Sequence, residues 1–337
     1  MLNHKSNYLS AYAGASVLVL GATGFIGRWV AKHLCAAGAK LILPVRNSVA
    51  ANAIFRDYGI FGELCEADLL DQSDLESLYN DFRPAITFNL AGYGIDRTEQ
   101  DRKLAFATNS ELVKDVCKAA HGRCDDRPGL RQIVHVGSAM EYGRAGGILE
   151  EGSLAFPTTL YGESKLAGTQ SLTKFCRKNG LRGVTARLFA VYGPGESRER
   201  LVPTLIENTG EAIPLTAGMH KRDFVYVEDV AEGLLRLGVS GAVPGEVVNV
   251  ATGRLTSIRT FVETAADVIG IDRTLLQFGS LPTRAEEMVH EPVTNRRLYT
   301  LTGWTPRVTI QRGINRTMSF RKMTLRENRT GQLAAVR

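Results

Sequence analysis

The chain has 337 residues, of which 44% are hydrophobic and 23% are charged, a composition typical of a globular protein with a sizeable core. It has no apolar run of about eighteen residues, and its polar first residues lack the apolar segment of a secretory signal, so we expect a cytoplasmic protein without membrane contact. Most of the net charge of +6 lies in residues 316–337, which hold six basic residues and one acidic residue, and this argues against a nucleic-acid partner.

A strand, a glycine-rich turn and a helix follow a lead-in before Ala13 that we expect to be loose. The apolar run Ser16–Leu20 predicts a buried strand, and apolar residues then recur at helical spacing. The first glycine of such a turn permits the bend, the second lets the backbone approach a pyrophosphate, and the third lets the helix lie close to the strand. Free N–H groups at the helix start then face the anion. The predicted cofactor contacts here are Gly21, Thr23, Gly24, Phe25, Ile26 and Gly27.

The second predicted strand, Lys40–Arg46, ends in a residue that bears on the choice of dinucleotide. The end of this strand meets the adenosine ribose, where an acid binds the 2′-hydroxyl of NAD and an arginine accommodates the 2′-phosphate of NADP. Arg46 therefore favours NADP(H) as the cofactor. NAD(H) is the alternative if Arg46 is an ordinary exposed residue of the turn.

Strands and helices continue to alternate, which predicts a parallel sheet with helices on both faces. Predicted strands at 62–69 and 85–92 flank a helix at 72–81. Ligands of such sheets bind outside the carboxyl ends of the strands. The residues at these two strand ends either contact the adenine and ribose or simply terminate the strands: Asp68, Leu69, Leu90, Ala91 and Gly92.

Three residues at one edge of the sheet predict redox chemistry. A helix near 108–121 precedes the strand Gln132–Ser138, and a long helix from Leu160 carries Tyr161 and Lys165 four residues apart, on one face. A tyrosine, with a pKa of about 10, needs its anion stabilised to exchange a proton near neutrality; Lys165 and a positively charged cofactor ring would lower it by about three units. The Ser138 hydroxyl polarises a substrate oxygen. Together Ser138, Tyr161 and Lys165 predict hydride transfer at a carbon that bears oxygen.

These motifs, in this order, resemble the extended short-chain dehydrogenase/reductase family, and more closely its nucleotide-sugar epimerases, dehydratases and 4-ketoreductases. The resemblance runs from about residue 16 to about residue 315 and rests on the glycine turn, the three catalytic candidates and these segments: Asn89–Gly92, Tyr142–Gly143, Arg187–Gly195 and Arg222–Val230. It implies that Tyr161 is the acid/base, that Lys165 holds the nicotinamide ribose and tunes Tyr161, and that Ser138 orients the substrate oxygen.

The resemblance also implies where a nucleotide sugar binds. Arg222 and Arg284 match the family's arginines at the nucleotide diphosphate, although either residue is alternatively a surface ion-pair member.

The family's 4,6-dehydratases carry an Asp-Glu pair directly after the catalytic hydroxyl residue, where this chain has Ala139-Met140. If that segment is extended, the next residue, Glu141, points to the opposite side. Many relatives contact the sugar with an asparagine at the position that Ala190 occupies in this chain. The candidate substrate contacts are Ser138, Met140, Glu141, Ala190, Arg222 and Arg284.

We therefore predict an α/β fold: a Rossmann-type doubly wound parallel sheet with a smaller mixed α/β C-terminal substrate domain. Residues 1–189 form the NADP-binding domain, to which segments at about 225–250 return; residues 190–320 mainly bind the nucleotide sugar, and residues 321–337 form a basic tail. By analogy with the family, helices near 100–121 and 160–178 predict a homodimer. Five cysteines without a CxxC pair or clustered histidines predict neither a disulfide framework nor a metal site.

Arg46 and the missing Asp-Glu pair favour NADPH-dependent reduction of a nucleotide-linked 4-keto, 6-deoxy sugar, with Tyr161 as the general acid. One alternative is a nucleotide-sugar 4-epimerase or an atypical dehydratase that holds NAD(P). A non-enzymatic alternative is an NADP(H)-binding redox sensor, although relatives of that kind usually lose the tyrosine or the lysine.

Overall fold

A seven-stranded parallel sheet forms the centre of the molecule, with the spatial order β3-β2-β1-β4-β5-β6-β11. The computed structural model describes residues 8–96, 98–125, 127–283 and 288–334, with side chains up to residue 323. The strands of this sheet are β1 (Ser16–Leu20), β2 (Lys40–Val45), β3 (Glu63–Glu66), β4 (Ile86–Asn89), β5 (Ile133–Ser138), β6 (Gly183–Leu188) and β11 (Glu246–Val250).

Helices cover both faces of the sheet, which confirms the predicted doubly wound α/β fold. One face packs against α1 (Phe25–Ala36), α2 (Ser48–Tyr58) and α8 (Val227–Gly238). The other packs against α3 (Gln72–Phe82), α5 (Leu112–Ala120) and α6 (Leu160–Asn179). The strands alternate between these two cores, since Val17 and Val19 belong to the first and Leu18 and Leu20 to the second.

Local signals set where several of these helices begin and end. The Asn47 side chain caps α2 by accepting the N–H of Ala50, and the Thr159 hydroxyl caps α6 by accepting the N–H of Gly162. Helix α6 ends at Gly180, whose φ of 70° lies in the left-handed region. The remaining helices are α4 (Arg102–Phe106), α7 (Leu201–Glu207), α9 (Ile258–Ile269), α10 (Arg296–Thr302) and α11 (Ile310–Ala334).

A second, smaller core lies beside the sheet, formed around Tyr192, Leu205, Phe261 and Ile314. Six short strands pair there: β7 (Ala190–Tyr192) with β10 (Phe224–Tyr226), β8 (Ile213–Leu215) with β13 (Leu276–Phe278), and β9 (Lys221–Arg222) with β12 (Thr256–Ser257). The chain reaches these strands after β6 and returns to the main sheet through α8 and β11. None of the helices in the described part of the chain is long and apolar enough to cross a bilayer.

Both ends of the described chain are more ordered than the sequence suggested. Residues Tyr8–Tyr12 form a 3-10 turn, and the buried Tyr12 hydroxyl donates to the Leu235 carbonyl at 2.6 Å, so the expectation of a loose lead-in is wrong from residue 8 onward. At the other end, α11 runs to Ala334, so a tail starting at residue 321 begins inside a helix. Its Phe320 ring packs on Trp29 and Tyr58 of the first core, with ring centroids 5.4 and 5.0 Å apart.

Candidate active site

The glycine-rich turn is packed so tightly that two of its glycines have no room for a side chain. Gly21 has a φ of 79°, and a Cβ on it would lie 2.9 Å from the backbone nitrogen of Ala91, at the end of the neighbouring strand β4. A Cβ on Gly27 would collide with the Gly21 carbonyl. Helix α1 begins directly after Gly24, and no side chain caps its first turn. Its N–H groups therefore face outward without a capping acceptor, which fits the pyrophosphate of a dinucleotide.

The other predicted cofactor residues lie along the same edge of the sheet. Arg46 is exposed directly after β2. Asp68 and Leu69 follow β3, and the Asp68 carboxylate accepts the N–H of Leu70 at 3.0 Å, a bond typical of a strand-ending turn. Leu90, Ala91 and Gly92 follow β4. Contact of these residues with adenine or ribose stays a prediction.

Ser138, Tyr161 and Lys165 converge where β5 meets the start of α6. A Cβ on Gly162 would collide with the Met140 carbonyl, so the first turn of α6 lies directly on the turn that follows β5. The Tyr161 phenol lies near the Ser138 hydroxyl, which lowers the pKa of the phenol. One helical turn further, the buried Lys165 donates from Nζ to the Val136 carbonyl of β5 at 2.7 Å.

Burial shifts the pKa values of Tyr161 and Lys165. It raises the pKa of Tyr161 to about 12, although the bond to Ser138 opposes the shift, so the phenol keeps its proton at neutral pH. Burial also lowers the pKa of Lys165 to about 8, and the nearby Glu141 carboxylate opposes that shift. For Tyr161, desolvation of the phenolate outweighs both the Ser138 bond and the positive charge of Arg200, which lower the pKa. Tuning of Tyr161 by Lys165 stays a prediction.

Asn109 holds the loop after β4 beside the site, and the sequence analysis did not single it out. The predicted continuous helix is divided, because the π-helical turn Ala107–Glu111 separates α4 from α5. This turn aims Asn109 at the loop after β4: its Nδ2 donates to the Tyr93 carbonyl at 2.7 Å and to the Ser164 hydroxyl at 2.9 Å, and its Oδ1 accepts the N–H of Tyr93 at 3.1 Å. The signal available in the sequence was a polar residue, an asparagine, on the buried face of a predicted helix.

A cavity of about 460 Å³ opens in front of Ser138 and Tyr161, between the main sheet and the smaller core. Three of the predicted substrate contacts line it together with Ser138: Met140, Ala190 and Arg222. Arg200 and Lys221 add further positive charge. Arg284 lies outside the described residues.

Glu141 lies differently from its prediction as a substrate contact. Residues Ala139–Glu141 form a 3-10 turn instead of extended chain, and this turn carries the Glu141 side chain into the protein, where it is fully buried. Its Oε1 accepts the N–H of Ser138 at 2.7 Å and its Oε2 accepts the Nε–H of Arg187 at 2.8 Å. Glu141 is therefore not a wall of the cavity.

The chain is similar in sequence to known proteins. The sequence model of the NAD dependent epimerase/dehydratase family matches residues 17–251. A dTDP-6-deoxy-L-talose 4-dehydrogenase (NAD(P)(+)) from Kitasatospora kifunensis is 29% identical over 323 residues, which cover 90% of this chain and 94% of that protein. A UDP-glucose 4-epimerase from Mycolicibacterium smegmatis is 27% identical over 315 residues, which cover 90% of this chain and 97% of that protein.

The fold is also shared with a solved structure. An epimerase from the methanogen Methanothermobacter thermautotrophicus superposes with a TM-score of 0.82 at 23% identity, over 96% of this chain and 97% of that chain. At this identity the likeness is one of fold.

Proposed function

This chain belongs to the NAD dependent epimerase/dehydratase family, and from that premise we propose that it reduces the ketone of a nucleotide-linked 4-keto-6-deoxysugar with NADPH. The observation that carries the proposal is the cavity wall in front of β5. It presents the protonated phenol of Tyr161 beside Ser138, whereas the two positions after Ser138 are Ala139 and Met140. Such a wall can protonate an oxygen, but the two positions after Ser138 lack the Asp-Glu pair expected there for eliminating water.

The charge of the cavity supports an anionic substrate. Arg200, Lys221 and Arg222 line it, and arginine binds phosphate through two parallel hydrogen bonds. The carboxylates of Asp96, Glu99 and Asp223 also line it, and each accepts a backbone N–H group, that of Thr98, Gly94 and Thr252 respectively. These acids are therefore engaged within the fold, and the basic groups suit a nucleotide diphosphate.

In this mechanism the chain's residues position the reactants and move one proton. The first turn of α1 would hold the pyrophosphate, Arg46 the 2′-phosphate, and Lys165 the nicotinamide ribose. NADPH, when bound, supplies the hydride that adds to the sugar C4. Tyr161 gives its proton to the C4 oxygen while Ser138 donates a hydrogen bond to that oxygen, so a ketone becomes an alcohol.

The similarity to a 4-dehydrogenase supports the same reaction centre, because reversing a 4-dehydrogenation is the reduction of a 4-ketone. The similarity to a 4-epimerase supports the runner-up, in which the hydride returns to the opposite face of the same sugar. Both reactions use the same trio and the same cofactor. Net oxidation of NADPH distinguishes them, because the reductase consumes NADPH and the epimerase does not.

The test is to mix the purified protein with NADPH and a nucleotide-linked 4-keto-6-deoxysugar and to follow the absorbance of the reduced nicotinamide. We expect steady oxidation, with the product identified by NMR, and slower oxidation of NADH if Arg46 binds the 2′-phosphate. Isomerised sugar without net oxidation would establish the epimerase instead. Binding of NADPH without turnover of any nucleotide sugar would leave the redox sensor.

A further inference from the structure

We propose that Glu141 is a positioning residue for the catalytic trio: its carboxylate fixes the backbone at Ser138 and places a buried negative charge near the amine of Lys165. Arg187 in turn holds the carboxylate in place. This role rests on the proposed function of the trio and adds a residue that touches neither substrate nor cofactor.

The geometry around Ser138 carries the first half of the proposal. The Glu141 Oε1 accepts the N–H of Ser138, while the Ser138 Oγ accepts the N–H of Met140 at 3.1 Å. These reciprocal bonds form a capping box across a single 3-10 turn. Because the Ser138 oxygen accepts a backbone N–H, its own O–H is left to donate toward Tyr161 or a substrate oxygen.

The packing beneath the turn supports the second part of the proposal, which concerns the buried charge of Glu141. A Cβ on Gly137 would lie 2.5 Å from the Glu141 Oε1, so only a glycine in β5 leaves space for the carboxylate at this depth. The carboxylate is fully buried, and the Arg187 side chain that binds it is only 6% exposed. A carboxylate this deep is costly unless it is paired, and Arg187 supplies the pair. Lys165 binds the carbonyl of Val136, the residue before Gly137, so the amine and the carboxylate approach β5 at adjacent residues.

Among the described residues, Glu141 is the acid whose charge acts on Lys165. On β5, His135 is fully buried, and burial holds its pKa well below the usual value, so the imidazole is neutral. Tyr161, one turn earlier on the same helix, keeps its proton, and the cation Arg187 on β6 pairs with Glu141. The attraction of Glu141 opposes the loss of the Lys165 proton that burial favours.

The full-length protein tests this without any substrate. Lysine labelled with ¹³C at Cε reports the protonation of Lys165 by NMR, and Lys165→Met assigns the signal. In Glu141→Gln, which keeps one oxygen for the Ser138 N–H but loses the charge, we expect the Lys165 titration midpoint to fall by about one pH unit or more, since an adjacent opposite charge shifts a pKa by one to three units.

Glu151→Gln is the matched control, because Glu151 also accepts a backbone N–H, that of Asn249, and also pairs with an arginine, Arg297. It should leave the Lys165 midpoint unchanged. The proposal is overturned if Glu141→Gln leaves the midpoint where the wild type has it, or if Glu151→Gln moves it equally.

A double variant covers the case in which Glu141→Gln does not fold. Glu141→Met with Arg187→Met removes both charges together, a change that buried pairs often tolerate. We expect this variant to fold and still to show the lowered midpoint; a wild-type midpoint would overturn the proposal. If the wild type turned over no ketosugar, the proposed function would fail while the titration still decided the role of Glu141.

Discussion

The Tyr161 phenol lies in the cavity wall against Ser138 and keeps its proton at neutral pH, since burial raises its pKa to about 12. A reductase needs such a donor at the moment the ketone oxygen gains charge. Tyr161→Phe removes the proton but keeps the ring, so we expect kcat to fall by about 10² to 10⁴-fold, the usual contribution of a general acid. NADPH affinity, measured by fluorescence titration, should change little. Turnover close to that of the wild type would contradict the assignment.

The charge on Lys165 predicts how cofactor affinity depends on pH. Its pKa in the folded protein is lowered to about 8 by burial, so the ammonium is present below that pH and is lost as pH rises through it. If Lys165 holds the ribose, the Kd for NADPH should rise as the pH increases from 7 to 9. In Lys165→Met the affinity should be weaker and flat over this range. An unchanged pH dependence in that variant would show that another group titrates.

Side-chain type and spacing allowed the trio to be predicted, because two residues four positions apart lie on the same face of a helix whatever surrounds it. The direction of Glu141 was not predictable in this way. It depended on a 3-10 turn that replaced extended chain, and on Arg187 from a strand 46 residues away in sequence. Asn109 was missed for a related reason, since a π-helical turn shifts the helical period by which buried positions are recognised.

At the scale of elements, the close contact between α6 and the turn after β5 sets the geometry of the site. A methyl group on Gly162 would collide with the Met140 carbonyl and push Tyr161 away from Ser138. For Gly162→Ala we expect kcat to fall by about 10- to 100-fold, because small displacements of reacting groups are costly. Gly146→Ala is the control, since a Cβ there meets nothing within 4 Å. Similar kcat values for the two variants would contradict this role of the contact.

The central strands and their flanking helices were predictable because each follows from a local apolar pattern and a following turn. The short pairs β7 with β10 and β9 with β12 were not, since two or three residues carry no period and their pairing is set by the sheet around them. Likewise, nothing in the basic composition of residues 316–337 marked the helix that continues to Ala334.

At the scale of the whole molecule, α11 ties the smaller core to the sheet. Its Ile314 belongs to the smaller core, while its Phe320 packs on Trp29 of α1, the helix that begins at the glycine turn. Phe320 is half-buried, so we expect Phe320→Ala to lower the free energy of unfolding by ~2 kcal/mol, about half the cost at a fully buried site. Urea denaturation measures this. Met323→Ala, on the same helix and 46% exposed, should cost little; equal losses would contradict the bridging role.

Transfer of a labelled hydride tests the central claim most directly. With NADPH carrying deuterium on the transferred position of nicotinamide C4 and a nucleotide-linked 4-keto-6-deoxysugar, we expect mass spectrometry to find one deuterium at the sugar C4 for each NADP⁺ formed. The Tyr161→Phe protein should form this product far more slowly. A sugar product without deuterium, or an isomerised sugar formed while the NADPH remains intact, would contradict the account.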